Sequence, residues 1–189
     1  MSYFKNKGIC CILMQKKSML LRKLKGITPK YGEGCFIAEN ATLIGDVILG
    51  NQCSVWYHAV IRGDVHSIRV GNQVNIQDGA IVHATYKKAP TIIGNRVSIG
   101  HNAIVHGCTI HNDVLIGMGS VVMDDCIVEP FSIIAAGAVV TQGTHVESGS
   151  IYAGIPARKI KSLDESLIKN EIERIAKGYL FYSSWYQEE

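Results

Sequence analysis

The sequence predicts an all-β solenoid, a parallel β-helix with a C-terminal α-helix, and three observations carry that expectation. Six-residue units with an aliphatic third residue run from Ala41 to about Ile155. Glycine and asparagine recur where those units would turn. Beyond "GIPARKI" the apolar spacing becomes helical.

Residues 1–18 break the pattern of everything after Met19 and read as an N-terminal extension. From Ala41 the units are ATLIGD, VILGNQ, CSVWYH and AVIRGD, then a three-residue excursion, Val65 to Ser67. IRVGNQ, VNIQDG and AIVHAT follow, and a second excursion, Tyr86 to Pro90. TIIGNR, VSIGHN and AIVHGC come next, then a five-residue TIHND and further hexads. A period of six suits neither a 3.6-residue helix nor an alternating strand; it suits a short strand and a turn. Three units make one triangular coil of about eighteen residues, and coils stack at the strand spacing of roughly 4.8 Å. The third positions, Leu43, Leu49, Val55, Ile61, Val70, Ile76, Val82, Ile93, Ile99, Val105, Ile116, Val122, Val128, Ile134, Val140 and Val146, are then inward ladders. Glycine and asparagine tolerate the left-handed corners. The solenoid is expected over 19–160 and the helix and tail over 161–189. Leu163, Leu167, Ile168, Ile172, Ile175, Ala176, Tyr179 and Leu180 form its apolar face, with Ser162 or Asp164 as cap.

The composition agrees, since 47% of residues are hydrophobic but only 7% aromatic, so ring side chains cannot fill the core. A net charge of +3 without a basic block argues against a nucleic-acid partner. The run "ICCILM" is far shorter than the roughly 20 residues that cross a bilayer, so no membrane partner is expected. Six cysteines without a CxxC pair read as free thiols in a reducing, cytoplasmic setting.

Seven histidines are present, and the register separates them. His83 is fourth in AIVHAT and His106 fourth in AIVHGC, and without the Tyr86 to Pro90 loop they stand one coil apart on one face. Side chains from backbones roughly 4.8 Å apart can converge on one metal. His101, fifth in VSIGHN, lies on the preceding face and points away from that pair. A metal held by all three needs His101 from another copy, so a cyclic trimer with metal sites at its seams is expected. Three imidazoles and an open fourth position form a catalytic zinc arrangement. Arg62 stands one rung below His83, with Asp64 two residues on, while Gln77 and Asp78 lie one rung below Gly100 and His101. His58, His66, His111 and His145 share no such column and read as structural.

The runs "VWYHAVIRGDVHSIRVGNQVNIQDGAIVH", "SIGHNAIVHGCTI", "LIGMGSVV" and "YAGIPARKI" closely resemble gamma-class carbonic anhydrase-like proteins of the left-handed β-helix hexapeptide superfamily, over about Gly26 to Tyr186. The resemblance implies left-handed coils, homotrimers, and metal ligation by His83 and His106 of one subunit with His101 of the next. It implies zinc, or iron or another divalent transition metal in some relatives, and a small-molecule substrate, CO2, hydrated by a metal-bound hydroxide. Arg62, Asp64, Asn75, Gln77 and Asp78 match the family's other site positions; Gln77 would orient the hydroxide, and Arg62 and Asp64 would pair across the seam. Well-studied active archaeal members carry a Glu where Val65 stands, and a long acidic loop with a second Glu where this chain has "ATYKKAP". Their pocket-lining helix Tyr and Asn align with Ile172 and Arg174. Two other functions remain open: a hexapeptide acyltransferase or thioesterase acting on CoA esters, and a metal-stabilised trimeric scaffold without catalysis.

Overall fold

The computed structural model of the chain describes residues 20–186; the expected extension over residues 1–18 lies outside them. The described chain winds as a left-handed parallel β-helix of about seven turns with one C-terminal helical segment. Each coil has three faces. The first carries the opening halves of Thr42–Leu49 and Val60–Val70, then Ile81–His83, Ile104–His106, Val121–Val122 and Val139–Val140. The closing halves of the same two long strands start the second face, and Thr91–Ile93, Thr109–Ile110, Ile127–Val128 and His145–Val146 continue it. The third runs from Phe36–Ile37 through Ser54–Val55, Asn75–Ile76, Ser98–Ile99, Leu115–Ile116 and Ile133–Ile134 to Ser150–Ala153.

The register follows the hexads. Val55 pairs with Ile76, Ile76 with Ile99, Ile99 with Ile116 and Ile116 with Ile134. All sixteen expected ladder residues are buried, each contributing about 1.5–3 kcal/mol of transfer free energy. The first position of the hexad also points inward: small Ala41, Cys53, Ala59, Ala80, Ala103, Cys108 and Cys126 are buried, as are the larger Val47, Ile68, Val74 and Val97. One boundary shifts. Ile110 pairs with Ile93 and Val128 and is fully buried, so the five-residue unit is AIVHG and CTIHND is a full hexad. Gly107 closes that short corner at φ 56°.

The corner between the second and third faces is held by stacked asparagines. The Oδ1 atoms of Asn72, Asn95 and Asn112 each accept the backbone N–H of the asparagine one coil below, at 2.8 Å. The preceding glycines make room: a Cβ on Gly71 would meet Asn95 Oδ1 at 2.6 Å. Polar ladders thus do at the corners what aliphatic ladders do inside.

Asp164 caps the helix, its carboxylate accepting from the Leu167 N–H at 2.8 Å. The segment runs Glu165–Leu167, a π-helical Ile168–Glu173, and Arg174–Ser184. It lies along the third face, where Trp56 meets Tyr179 edge-on at 5.4 Å and Phe36 stacks against Tyr186 at 5.0 Å. Beneath it the outward residues Ser54, Asn75 and Ser98 are buried and bonded, Trp56 Nε1 donating to Ser54 and Asn75 Nδ2 to Ser98. Among the described residues no helix covers the first face. Its outward column, Val60, Ile81, Ile104, Val121 and Val139, is aliphatic and incompletely buried. Among the described residues no helix is long and apolar enough to cross a membrane.

Candidate metal centre

His83 and His106 occupy paired positions on adjacent strands. Side chains in a column point the same way, and His83 Nδ1 lies 3.0 Å from His106 Nε2. The remaining ring nitrogens are taken by carboxylates. His83 Nε2 donates to Asp64 Oδ1 at 3.0 Å, and His106 Nδ1 to Asp124 Oδ1 at 2.5 Å. Each carboxylate is itself braced: Arg62 Nη1 donates to Asp64 Oδ2 at 2.5 Å, and Thr85 Oγ1 to Asp124 Oδ2 at 2.5 Å. Burial pushes both carboxyls up, but bonds from His83 and Arg62 leave Asp64 below its ordinary pKa. Bonds from Thr85 and His106 do the same for Asp124.

This arrangement fixes the tautomers. A carboxylate only accepts, so the two outer nitrogens carry the protons and the inner two present lone pairs to one another. Two acceptors at that distance repel unless a cation lies between them. Two ligands of one tetrahedral zinc, with bonds of about 2.0–2.1 Å, stand about 3.3 Å apart. The donor set and spacing therefore fit a divalent metal, with a carboxylate behind each imidazole.

Two backbone features hold the pair in place. Thr91, fully buried, donates its hydroxyl to the His83 carbonyl and accepts the Gly107 N–H at 2.9 Å. Gly107 leaves the space that Asp124 uses, since a Cβ there would collide with Asp124 Oδ1. Asp124 was not among the sequence-predicted residues. Continuing the His83 and His106 column upward places Met123 next and Asp124 at the corner beyond it, so the register contained the signal.

His101 sits at the corner between the third and first faces. Its Nδ1 is 2.9 Å from Asp78 Oδ2, and its Nε2 is 3.2 Å from the Tyr179 hydroxyl. Its backbone N–H donates to Gln77 Oε1 at 3.2 Å, Gln77 Nε2 donates to Asn75 Oδ1 at 2.9 Å, and Asn75 donates on to Ser98. Burial, and then the Asp78 charge, push the Tyr179 hydroxyl up to about 12, so it stays a donor. The helix therefore meets the site through Tyr179. Ile172, which aligns with the relatives' pocket-lining Tyr, is buried, and Arg174 is exposed, 3.6 Å from Glu171. The helical phase explains the difference, because Tyr179 follows Ile172 by two turns and faces the same side.

Among the described residues of one chain, no group of three or more His, Cys, Asp or Glu side chains is arranged to hold a metal. One chain brings together Arg62, Asp64, His83, His106 and Asp124, and separately Asn75, Gln77, Asp78 and His101. Arg62 and Asp64, expected to pair across a seam, are bonded within one chain. Beside His101 a cavity of about 360 Å³ opens between the third face and the helix, lined by Leu115, Met118, Ile133, Ile175 and Tyr179, with Gln77 at its polar end.

A family model described as bacterial transferase hexapeptide (six repeats) matches residues 90–123 and 107–142. The chain is 40% identical over 159 residues to gamma carbonic anhydrase 2, mitochondrial, of Arabidopsis thaliana, an alignment covering 81% of this chain and 56% of the plant protein. It thus spans a little over half of that relative's length. It is 37% identical to a carbonic anhydrase of Geobacillus kaustophilus, over 86% of this chain and 88% of that one. Among solved structures, a hexapeptide transferase family protein from Anaplasma phagocytophilum superposes with a TM-score of 0.84 at 41% identity, covering 88% of this chain and 98% of that one.

Proposed function

We propose, from the premise that this chain belongs to the gamma-class carbonic anhydrase-like branch of the left-handed β-helix hexapeptide-repeat superfamily, that it forms a homotrimer hydrating CO2 reversibly to bicarbonate. The observation that carries this reading is the lone-pair confrontation of His83 and His106. Each subunit offers that pair at one corner and His101 at another, so a seam joining the two corners completes three imidazoles around one ion. The incompletely buried aliphatic column of the first face, which ends at His83 and His106, supports such a seam.

Zinc, or another divalent ion, would be held by His83 and His106 of one subunit and His101 of the next, and would supply hydroxide at neutral pH by lowering the pKa of water to about 7. The chain's own groups do the rest. Asp64 and Asp124 each accept the N–H of an outer ring nitrogen and so aim the inner lone pair of that imidazole at the shared site. Asp78 does the same for His101, leaving Nε2 as its free lone pair once the Tyr179 hydroxyl turns aside. Gln77, anchored by Asn75 and by the His101 backbone, keeps a second amide N–H to orient the attacking oxygen. The remaining Arg62 donors can receive the anionic product. Val65 and the short Tyr86 to Pro90 loop offer no carboxylate for the released proton, so buffer takes it directly.

A second reading has its own observation. The 360 Å³ apolar cavity beside His101 has room for an acyl group, which suits a thioesterase or acyltransferase acting on CoA esters. Metal analysis and CO2 hydration in the purified protein, with His106→Ala as control, test the first reading. Bound metal with hydration lost in the control supports it. Metal without hydration moves the assignment to CoA-ester turnover or, if that too is absent, to a metal-stabilised scaffold.

A further inference from the structure

Two insertions lengthen the six-residue rhythm, Val65–Ser67 and Tyr86–Pro90, and both face one cavity of about 420 Å³. The first is a bulge: Gly45 pairs with Gly63 and Val47 with Ile68, so Asp64 to Ser67 stand against Asp46 alone. The Leu24–Ile27 turn, with Lys25 at φ 50°, bounds the cavity on a third side. None of these segments is needed to stack the solenoid, and irregular segments that converge on one cavity of a rigid scaffold are where binding residues gather.

The charges there do not balance. Of the two acids, Asp46 is bonded to Arg69 at 2.8 Å, and Asp64 is bonded to Arg62 and His83. Lys25 Nζ reaches only the Asp64 backbone carbonyl, at 3.5 Å, and Lys87 lies 5.1 Å from the Tyr86 ring centre. Among the described residues neither ammonium touches a carboxylate. Two cations at the mouth of a concave surface, with the Ser67 hydroxyl and His66 between the loops, form a positive well for an anion.

We propose that this cavity is an oxyanion-binding site in which Lys25 and Lys87 hold a bicarbonate ion or the phosphate group of a larger ligand. Asp64 borders the cavity and grips His83, so an anion bound there adjoins the candidate metal pair. Under the hydration reading the occupant is the product on its way out, but the binding itself does not depend on that reading.

The test is calorimetric titration of the full chain with bicarbonate and, separately, inorganic phosphate at constant ionic strength, before and after treatment with a chelator. Saturable binding that survives chelation and weakens about tenfold in Lys25→Ala/Lys87→Ala supports the site, as does retention in Lys25→Arg/Lys87→Arg and in Lys169→Ala. Tighter bicarbonate identifies a product site, and tighter phosphate a phosphate-bearing ligand. Absence of binding by either ion overturns the proposal, and so does binding that the double alanine variant leaves unchanged or that the chelator abolishes. Because binding is read without turnover, its failure is distinct from failure of CO2 hydration.

Discussion

Asp124 lies three coils above Asp64, and the two carboxylates bracket His83 and His106 from opposite ends of one hydrogen-bonded row. The row reads Arg62, Asp64, His83, His106, Asp124, Thr85, with every contact between 2.5 and 3.0 Å. Its centre is the only link lacking a fixed proton, which is where a cation belongs.

Asp124→Asn replaces an acceptor-only group with one that also donates, releasing the His106 tautomer. Metal affinity, measured by competition with a chromophoric chelator, should fall about 10–100-fold, while the far-ultraviolet circular dichroism stays that of the parent. Unchanged affinity would show that Asp124 is an incidental neighbour.

The shared seam makes a complementation test possible. His83→Ala and His101→Ala trimers should each lose metal. Subunits of both kinds, unfolded together and refolded, should recover about a quarter of the wild-type content, since each mixed trimer regains one intact seam in three. No recovery on mixing would place all three ligands within a subunit or none at the metal.

Gly107→Ala tests the crowding at the short corner. A Cβ at φ 56° is strained by about 1–2 kcal/mol, and it also displaces the Asp124 carboxylate. Denaturant titration should show the loss of stability, and chelator competition should show weakened metal binding in the fraction that remains folded.

Tyr179 supplies a pH dependence of known sign. Its hydroxyl is raised from an ordinary 10.0 to about 12, first by burial and then by Asp78. The protonated form is the one the fold favours, so its stabilisation is complete below pH 10 and is lost as pH rises through about 12. Alkaline titration at 295 nm should lose its latest tyrosine phase in Tyr179→Phe, and the variant's melting temperature should fall less steeply over that window.

The hexad register made most of the fold legible, because an inward residue every sixth position has no other home. Ile110 escaped only because the short unit was placed one residue late. The same register located His83 over Arg62 and under His106, and put His101 on a different face. Tyr179 was harder to find. Its partner His101 is 78 residues away, and no period links a helix to the corner it covers. Asp124 lay within reach but one coil above the last histidine.

Asp64, His83, His106 and Asp124 come from four successive coils, so the row runs along the stack like a bolt through four plates. A solenoid whose coils touch only their neighbours can peel from either end. An ion gripped by the middle two plates and braced by the outer two halts peeling from both directions. The coils beyond them are then free to open and close without disturbing the chemistry at the waist.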